Sequence, residues 1–404
     1  MQSNRRDFFS RIAAAGAGLW AGKAAAKQSA GPAPVISPDI PDLPFTVEGG
    51  VKVFHLIAEP VKQEVLPGRV FDLWGFNGTA PGPTIQVNEG DRVRIVFENR
   101  LPEPSAIHWH GLEIPVEMDG VPGVGQPPVM PGEKFVYEFT LNQHGTFFYH
   151  SHMAMQEMMG MLGAMILHPK TPYTPAVDKD FVLSLQEYWV LPNNTVPNSM
   201  NMEFNWLTFN GKASPATTPL IVRLGDRVRV RLINLGMDHH PIHLHGFTFW
   251  ITGHEGARQP ESLWMRGNTV LVGVAQARDF EFIADRPGDW MLHCHLPHHM
   301  MNHMASIAGP MTRSGGMGNM PGMEHMHHAA EDPNRVPGYP QDAMMESPMM
   351  AMDKAVEKPE TYGLPKDWSG FMGGMMTLLR ILPPEQYEKI LALKRDQARK
   401  GQAQ

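Results

Sequence analysis

At 404 residues the chain is long enough for two ordinary domains and a tail. A formal net charge of −7, with no basic block, argues against a nucleic-acid partner. A single cysteine excludes an intrachain disulfide, and 39 glycines with 37 prolines suit a turn-rich β protein. The 30 methionines and 20 histidines exceed ordinary usage. Thioether suits Cu(I), and imidazole suits copper, zinc or iron.

The first stretch, Asn4-Arg5-Arg6-Asp7-Phe8-Phe9, is a twin-arginine pattern. An apolar Ala/Gly-rich run starts at Ile12, and Ala24-Ala25-Ala26 is a candidate cleavage site. Residues 1–30 therefore read as a targeting segment. The run is too short to span a bilayer and Lys23 interrupts it. The rival reading is a basic terminus with no targeting role. Export by the twin-arginine route implies a periplasmic or extracellular protein with no membrane insertion.

Next comes a unit written twice. Ile85-Gln86-Val87 and GDRVRIVFEN (Gly90 to Asn99) match Ile221-Val222-Arg223 and GDRVRVRLIN (Gly225 to Asn234). Both alternate apolar and polar residues after a Gly-Asp turn, the period of a half-buried strand. His108-Trp109-His110-Gly111 then matches His243-Leu244-His245-Gly246. GTFFYHSH, ending at His152, matches GDWMLHCH, ending at His295. A repeat of this size, roughly 135 to 143 residues, predicts an all-β fold of two Greek-key β-sandwiches. The first is expected over residues 43–169 and the second over 180–310, joined by a proline-containing linker. From 311 to 359 the composition turns to Met, His, Gly and Pro, which predicts a flexible segment. MMTLLRILPPEQYEKILALKRDQARK, within 360–404, reads as a helical tail with a break at Pro383-Pro384.

On a strand, residues i and i+2 share a face. His108 and His110, His150 and His152, His243 and His245, and His293 and His295 are such pairs, eight imidazoles in all. Eight suffice for a cluster of three copper ions, at about two or three nitrogens each. One His-x-His alone reads as a turn or core histidine; four in matching repeat positions read as ligands. Cys294 must point away from His293 and His295. With His240 and His299 nearby and Met304 further on, it has the donors of a blue-copper site: two imidazoles, a thiolate and a weak axial thioether. The plainer reading of Cys294 is a small buried hydrophobe. Ser151 stands at the equivalent place in the first repeat, so that domain supplies half a cluster and no blue site.

At these residues, HWHG, HSH, HPxHLHG and HCHxxxHxxxxM, the chain resembles the multicopper oxidases, over about Leu43 to Pro310. The resemblance implies cupredoxin-like domains and about four coppers per chain. It places a type 1 copper on His240, Cys294, His299 and Met304, and a type 2 copper on His108 and His243. A type 3 pair falls to His110, His150, His152, His245, His293 and His295. HGLEIPVEMDG resembles the family's first loop and makes Asp119 a carboxylate near the type 2 copper, aiding proton supply. As a turn residue before Gly120, Asp119 has a plainer reading too. Two domains with no spacer resemble the small laccases, which implies a cyclic homotrimer with clusters between chains. Met300 stands where some relatives carry an acidic residue.

The implied reaction is one-electron oxidation of a reductant, with O2 reduced to water. Met residues at 153, 155, 158, 159, 161 and 165, at 300 and 301, and through the tail favour Cu(I) as reductant, with phenols alongside. Met161 and Met165 read better as core. His55, His144, His168, His239, His254, His298 and His303 read as structural or surface groups. The rivals are a copper nitrite reductase, which Ser151 and the eight-histidine set oppose, and a copper storage or delivery protein.

Overall fold

A computed structural model describes residues 33–300 and 351–402, apart from 154, 192, 193 and 203. The targeting segment and residues 311–350 of the Met/His-rich segment lie outside them.

The first half of the chain runs β1 (Val35–Ile36), β2 (Phe45–Glu48), β3 (Val51–Leu66), β4 (Arg69–Phe76), β5 (Gly82–Asn88), β6 (Arg92–Asn99), β7 (Ile107–His110), β8 (Lys134–Thr140), β9 (Gly145–Ser151) and β10 (Leu162–His168). The second half runs β11 (Lys179–Tyr188), β12 (Trp206–Phe209), β13 (Leu220–Arg223), β14 (Arg227–Asn234), β15 (His240–Leu244), β16 (Phe249–His254), β17 (Met265–Gly267), β18 (Thr269–Val272), β19 (Gln276–Ile283) and β20 (Gly288–Cys294). β21 (Met376–Leu382) and a helix, α1 (Pro384–Gln402), close it.

These strands make two sandwiches. One sets a sheet ordered β2-β3-β6-β8, with β4 on β3, against β5-β10-β9-β7. The other sets β1-β11-β14-β19-β16-β17, with β12 on β11, against β13-β21-β20-β15-β18. The repeated GDRVR strands, β6 and β14, take equivalent places. Each lies between a parallel partner, β3 or β11, and an antiparallel one, β8 or β19.

Alternation in β6 does what it predicts: Val93, Ile95 and Phe97 are buried in the first core beside Trp109 and Tyr149. β14 departs from it. All but its first residue are buried, because the first sandwich covers its outer face. Phe148, Leu162, Ala164 and Ile166 pack there on Val182, Ile233 and Ala277. The four sheets thus stack as layers, and β7 and β9 lie two layers from β15 and β20. At ~10 Å per layer the sheets that hold them are about 20 Å apart.

The C-terminus corrects one expectation. MTLLRIL, read as helical, is β21, the second strand of its sheet, parallel to β13 and antiparallel to β20. A short apolar run fits strand and buried helix alike. All seven of its residues are buried, and each large apolar one contributes about 1.5–3 kcal/mol on burial. The second sandwich is therefore completed by a strand from beyond the Met/His-rich segment. Residues 351–359 also depart from the flexible reading: Met352 and Val356 pack against a cluster that includes Tyr188 and Trp206. The expected terminal helix is α1, which starts at the proline pair and docks through Tyr387 and Ile390 on Ile221 and Leu382.

Candidate metal centre

Two imidazole quartets form in the same way. Cross-strand register sets His108 opposite His150 and His243 opposite His293. Ring centroids of His110, His150 and His152 lie 5.5, 5.3 and 5.5 Å from that of His108. Those of His245, His293 and His295 lie 5.0, 5.7 and 5.4 Å from that of His243. Backbone carbonyls hold one nitrogen of several rings. The Nδ1 atoms of His108, His150, His243 and His293 lie 2.8, 2.9, 2.6 and 2.8 Å from the carbonyls of Asp119, Ser151, Asn268 and Cys294. A carbonyl only accepts, so Nδ1 carries the proton and the Nε2 lone pair faces outward.

His293 Nε2 meets His245 Nε2 at 3.0 Å. A lone pair that close to another ring nitrogen calls for a proton or a cation between them. Burial lowers the pKa of His108, His245 and His293; burial and then His150 take His110 to about 4. These rings stay neutral near pH 7 and keep their lone pairs for a metal.

Asp119 follows a 3-10 turn, and its carboxyl reaches 3.4 Å from His108 Nδ1. The shorter contact is its backbone carbonyl. Gly120 has φ +84°, and a Cβ there would stand 1.8 Å from Ile107 O, so only glycine lets the loop press on β7. Sequence pattern finds the carboxyl and misses the carbonyl.

On the other face of β20, three buried donors converge. Cys294 Sγ lies 3.7 Å from His240 Nδ1 and 3.5 Å from His299 Nδ1, and the two nitrogens are 3.2 Å apart. All three residues are fully buried. A point equidistant from the three atoms lies about 2.0 Å from each, the length of a first-row metal–nitrogen bond and close to that of a metal–sulfur bond. Burial pushes the Cys294 thiol up to about 12, so a thiolate forms there when a metal displaces its proton. The donor set fits copper. Met304 lies outside the described residues.

Glu187, on β11, was not legible as a site residue. It is fully buried, and its Oε2 lies 3.1 Å from His240 Nε2. Its Oε1 accepts from the backbone N–H of Asp238 at 2.8 Å and from that of Met237. Gly236 leaves the room: a Cβ would sit 2.0 Å from Oε2. The carboxyl thus fixes the His240 ring with Nδ1 toward Cys294. Replacing Glu187 with alanine frees that ring and should weaken copper binding at the trio roughly 10- to 100-fold. Chelator competition followed by blue absorbance measures this, and unchanged retention would refute the role.

The remaining histidines separate from the trio and the quartets. His298 is exposed with its ring 4.2 Å from that of His299, so it is His299 that turns inward. Asp238 and His298 also bring a donor atom each within 4.8 Å of one on the buried His299. His239 accepts from Val274 N at 3.0 Å, His144 bonds Tyr173, and His168 bonds Gln86. His55 and His254 are exposed, and His303 lies outside the described residues. Met161 and Met165 are core residues.

Paired β-sandwiches with a His–Cys–His trio and two imidazole quartets define a copper protein. Residues 60–172 and 189–308 each match a family model described as Multicopper oxidase, and the chain belongs to that family. Blue copper oxidase from Nitrosomonas europaea has a similar structure, with a TM-score of 0.57 and 34% identity over 62% of this chain and 81% of that one. Copper resistance protein A of Escherichia coli is 36% identical over 33% of this chain and 22% of its own length. A probable nitrite reductase-hydroxylamine oxidoreductase fusion protein of Kuenenia stuttgartiensis is 30% identical over 65% of this chain and 32% of its own. The match thus spans about a third or less of these curated relatives. Membership implies copper cofactors and an oxidoreductase. Among the described residues no helix is long and apolar enough to cross a membrane.

Proposed function

We propose that the chain is an oxidase that takes single electrons from a small reductant at the trio and delivers them to O2 at the quartets. The observation that carries this is the continuity of β20: Cys294 belongs to the buried trio, and its neighbours His293 and His295 belong to a quartet on the opposite face. Bound copper supplies the one-electron chemistry at both places. The protein's own residues do the rest. Glu187 and the carbonyl acceptors set each ring's orientation, and the core around Cys294 excludes water. His108 and His243 take the type 2 position, the other six rings the type 3 positions, and Asp119 serves proton supply beside His108.

Within one chain the quartets belong to sheets two layers apart, about 20 Å or more, and His152, His245 and His295 are exposed. A cyclic homotrimer that sets one chain's first sandwich against the next chain's second would complete each cluster. Cu(I) is the preferred reductant, with phenols alongside; the copper-resistance relatives and a matching Laccase-2 of Botryotinia fuckeliana support these classes. The twin-arginine pattern supports a periplasmic site.

The test is copper content, visible and EPR spectra and O2 uptake on one copper-loaded sample, with its mass in solution. About four coppers per chain, a blue band, one type 1 and one type 2 signal, and a trimer are expected. One or two coppers without O2 uptake would make it a carrier or storage protein. A monomer with the full complement would refute the assembly.

A further inference from the structure

We infer that the axial thioether of the blue site comes from Met375, at the threshold of β21, and not from Met304 of the HCHLPHHMMNHM loop. This rests on the blue-copper reading of Cys294, His240 and His299.

The argument is one of register. β20 and β21 pair with Leu292 opposite Thr377 and His293 opposite Met376. One step further sets Met375 opposite Cys294, and Cys294 N donates to Met375 O at 3.0 Å. Residues directly across an antiparallel pair project to the same face, with Cβ atoms about 4.5–5.5 Å apart. Met375 is therefore on the face of Cys294, while Met376 shares the opposite face with His293. The chain is tied again at the next ligand: Met375 N donates to His299 O at 2.9 Å. Met375 is fully buried, in the same core cluster as Cys294.

The first repeat shows the same geometry. β10 stands to β9 as β21 stands to β20: Leu162 pairs with His150, and Ser151 N donates to Met161 O at 3.0 Å. Met161 is fully buried too. There a serine faces the methionine and no blue site exists; in the second repeat a cysteine faces it. The strand that follows the ligand loop at once in the first repeat arrives in the second only after residue 375. Motif spacing counts along the chain, so it selects Met304; sheet position selects Met375.

The test compares Met375→Leu, Met375→Gln and Met304→Leu in the copper-loaded full-length protein. The readouts are blue absorption, EPR and the midpoint potential of the blue copper. Leucine conserves volume, so the fold should hold, and melting of the apoproteins checks it. An axial ligand tunes the potential. Met375→Leu should raise it, Met375→Gln should lower it and alter the EPR signal, and Met304→Leu should match the unaltered protein. Opposite shifts from leucine and glutamine would not arise from a packing role. A shift with Met304→Leu alone, equal shifts from both leucine variants, or none from either would overturn the assignment. No blue band in the unaltered loaded protein would instead overturn the reading on which it rests.

Discussion

Cys294→Ser leaves a copper-loaded protein with no blue band, about one copper fewer per chain, and reductant oxidation down by three orders of magnitude or more. The size follows from chemistry. A serine hydroxyl is a hard, poorly ionised donor that cannot stand in for a thiolate. It also removes the sulfur through which a bound metal in the trio would be joined to His293 and His295. A ~10³-fold loss corresponds to about 4 kcal/mol in the barrier. Serine is close to cysteine in volume, and the repeat already accommodates Ser151 at the matching place, so the sandwich should stand. The quartets should keep their copper. Turnover of Cu(I) or a phenol, read beside copper content, checks this; a blue, active Cys294→Ser protein would sink the proposed route.

The second large effect is on stability. Asp279→Ala should cost about 3–5 kcal/mol, because it removes the carboxylate paired with the buried Arg229 guanidinium. Asp279 is 1% exposed and pairs with Arg229, also 1% exposed. Thr146, from the first sandwich, donates to both its oxygens at 2.9 and 3.1 Å. Arg231 donates to Thr146 Oγ1 at 2.7 Å and grips Asp180 through two bonds of 2.7 and 2.8 Å. Tyr173 of the linker lies under the Arg229 guanidinium at 5.1 Å. This network joins the sandwiches, so its loss is felt by both. Asp279→Asn keeps an acceptor for Thr146 and should lose less. Urea unfolding of the three proteins gives the order, and a loss under about 1 kcal/mol for alanine would show that the charges are paired by other groups.

Much of this was legible in the chain. The repeated GDRVR strands, the four His-x-His pairs and the lone cysteine between histidines each follow from a period of two, which puts ligands on one face and Cys294 on the other. What escaped the sequence depends on contacts between distant residues. Glu187 lies 53 positions from His240, and no local pattern marks it. The alternation of β14 predicts polar residues facing solvent; Arg229 and Arg231 are buried because a second sandwich lies over them. β21 was hidden by its own apolarity, since a uniformly buried strand shows no period. Asp119 was found for its side chain, while its carbonyl, which every residue has, makes the shorter contact.

The position of β21 also bears on how the molecule is made. It lies inside its sheet, between β13 and β20, yet among the described strands it is the last in chain order. Until residue 382 has left the ribosome, β13 and β20 present unpaired edges to each other, and such edges invite pairing with other chains. The contact also spans a long separation in sequence, which slows folding. Lengthening the intervening stretch costs little more, because closure entropy grows only with the logarithm of loop length. The second sandwich can thus carry a long insertion beside its cysteine, at the cost of completing itself only once β21 has been made.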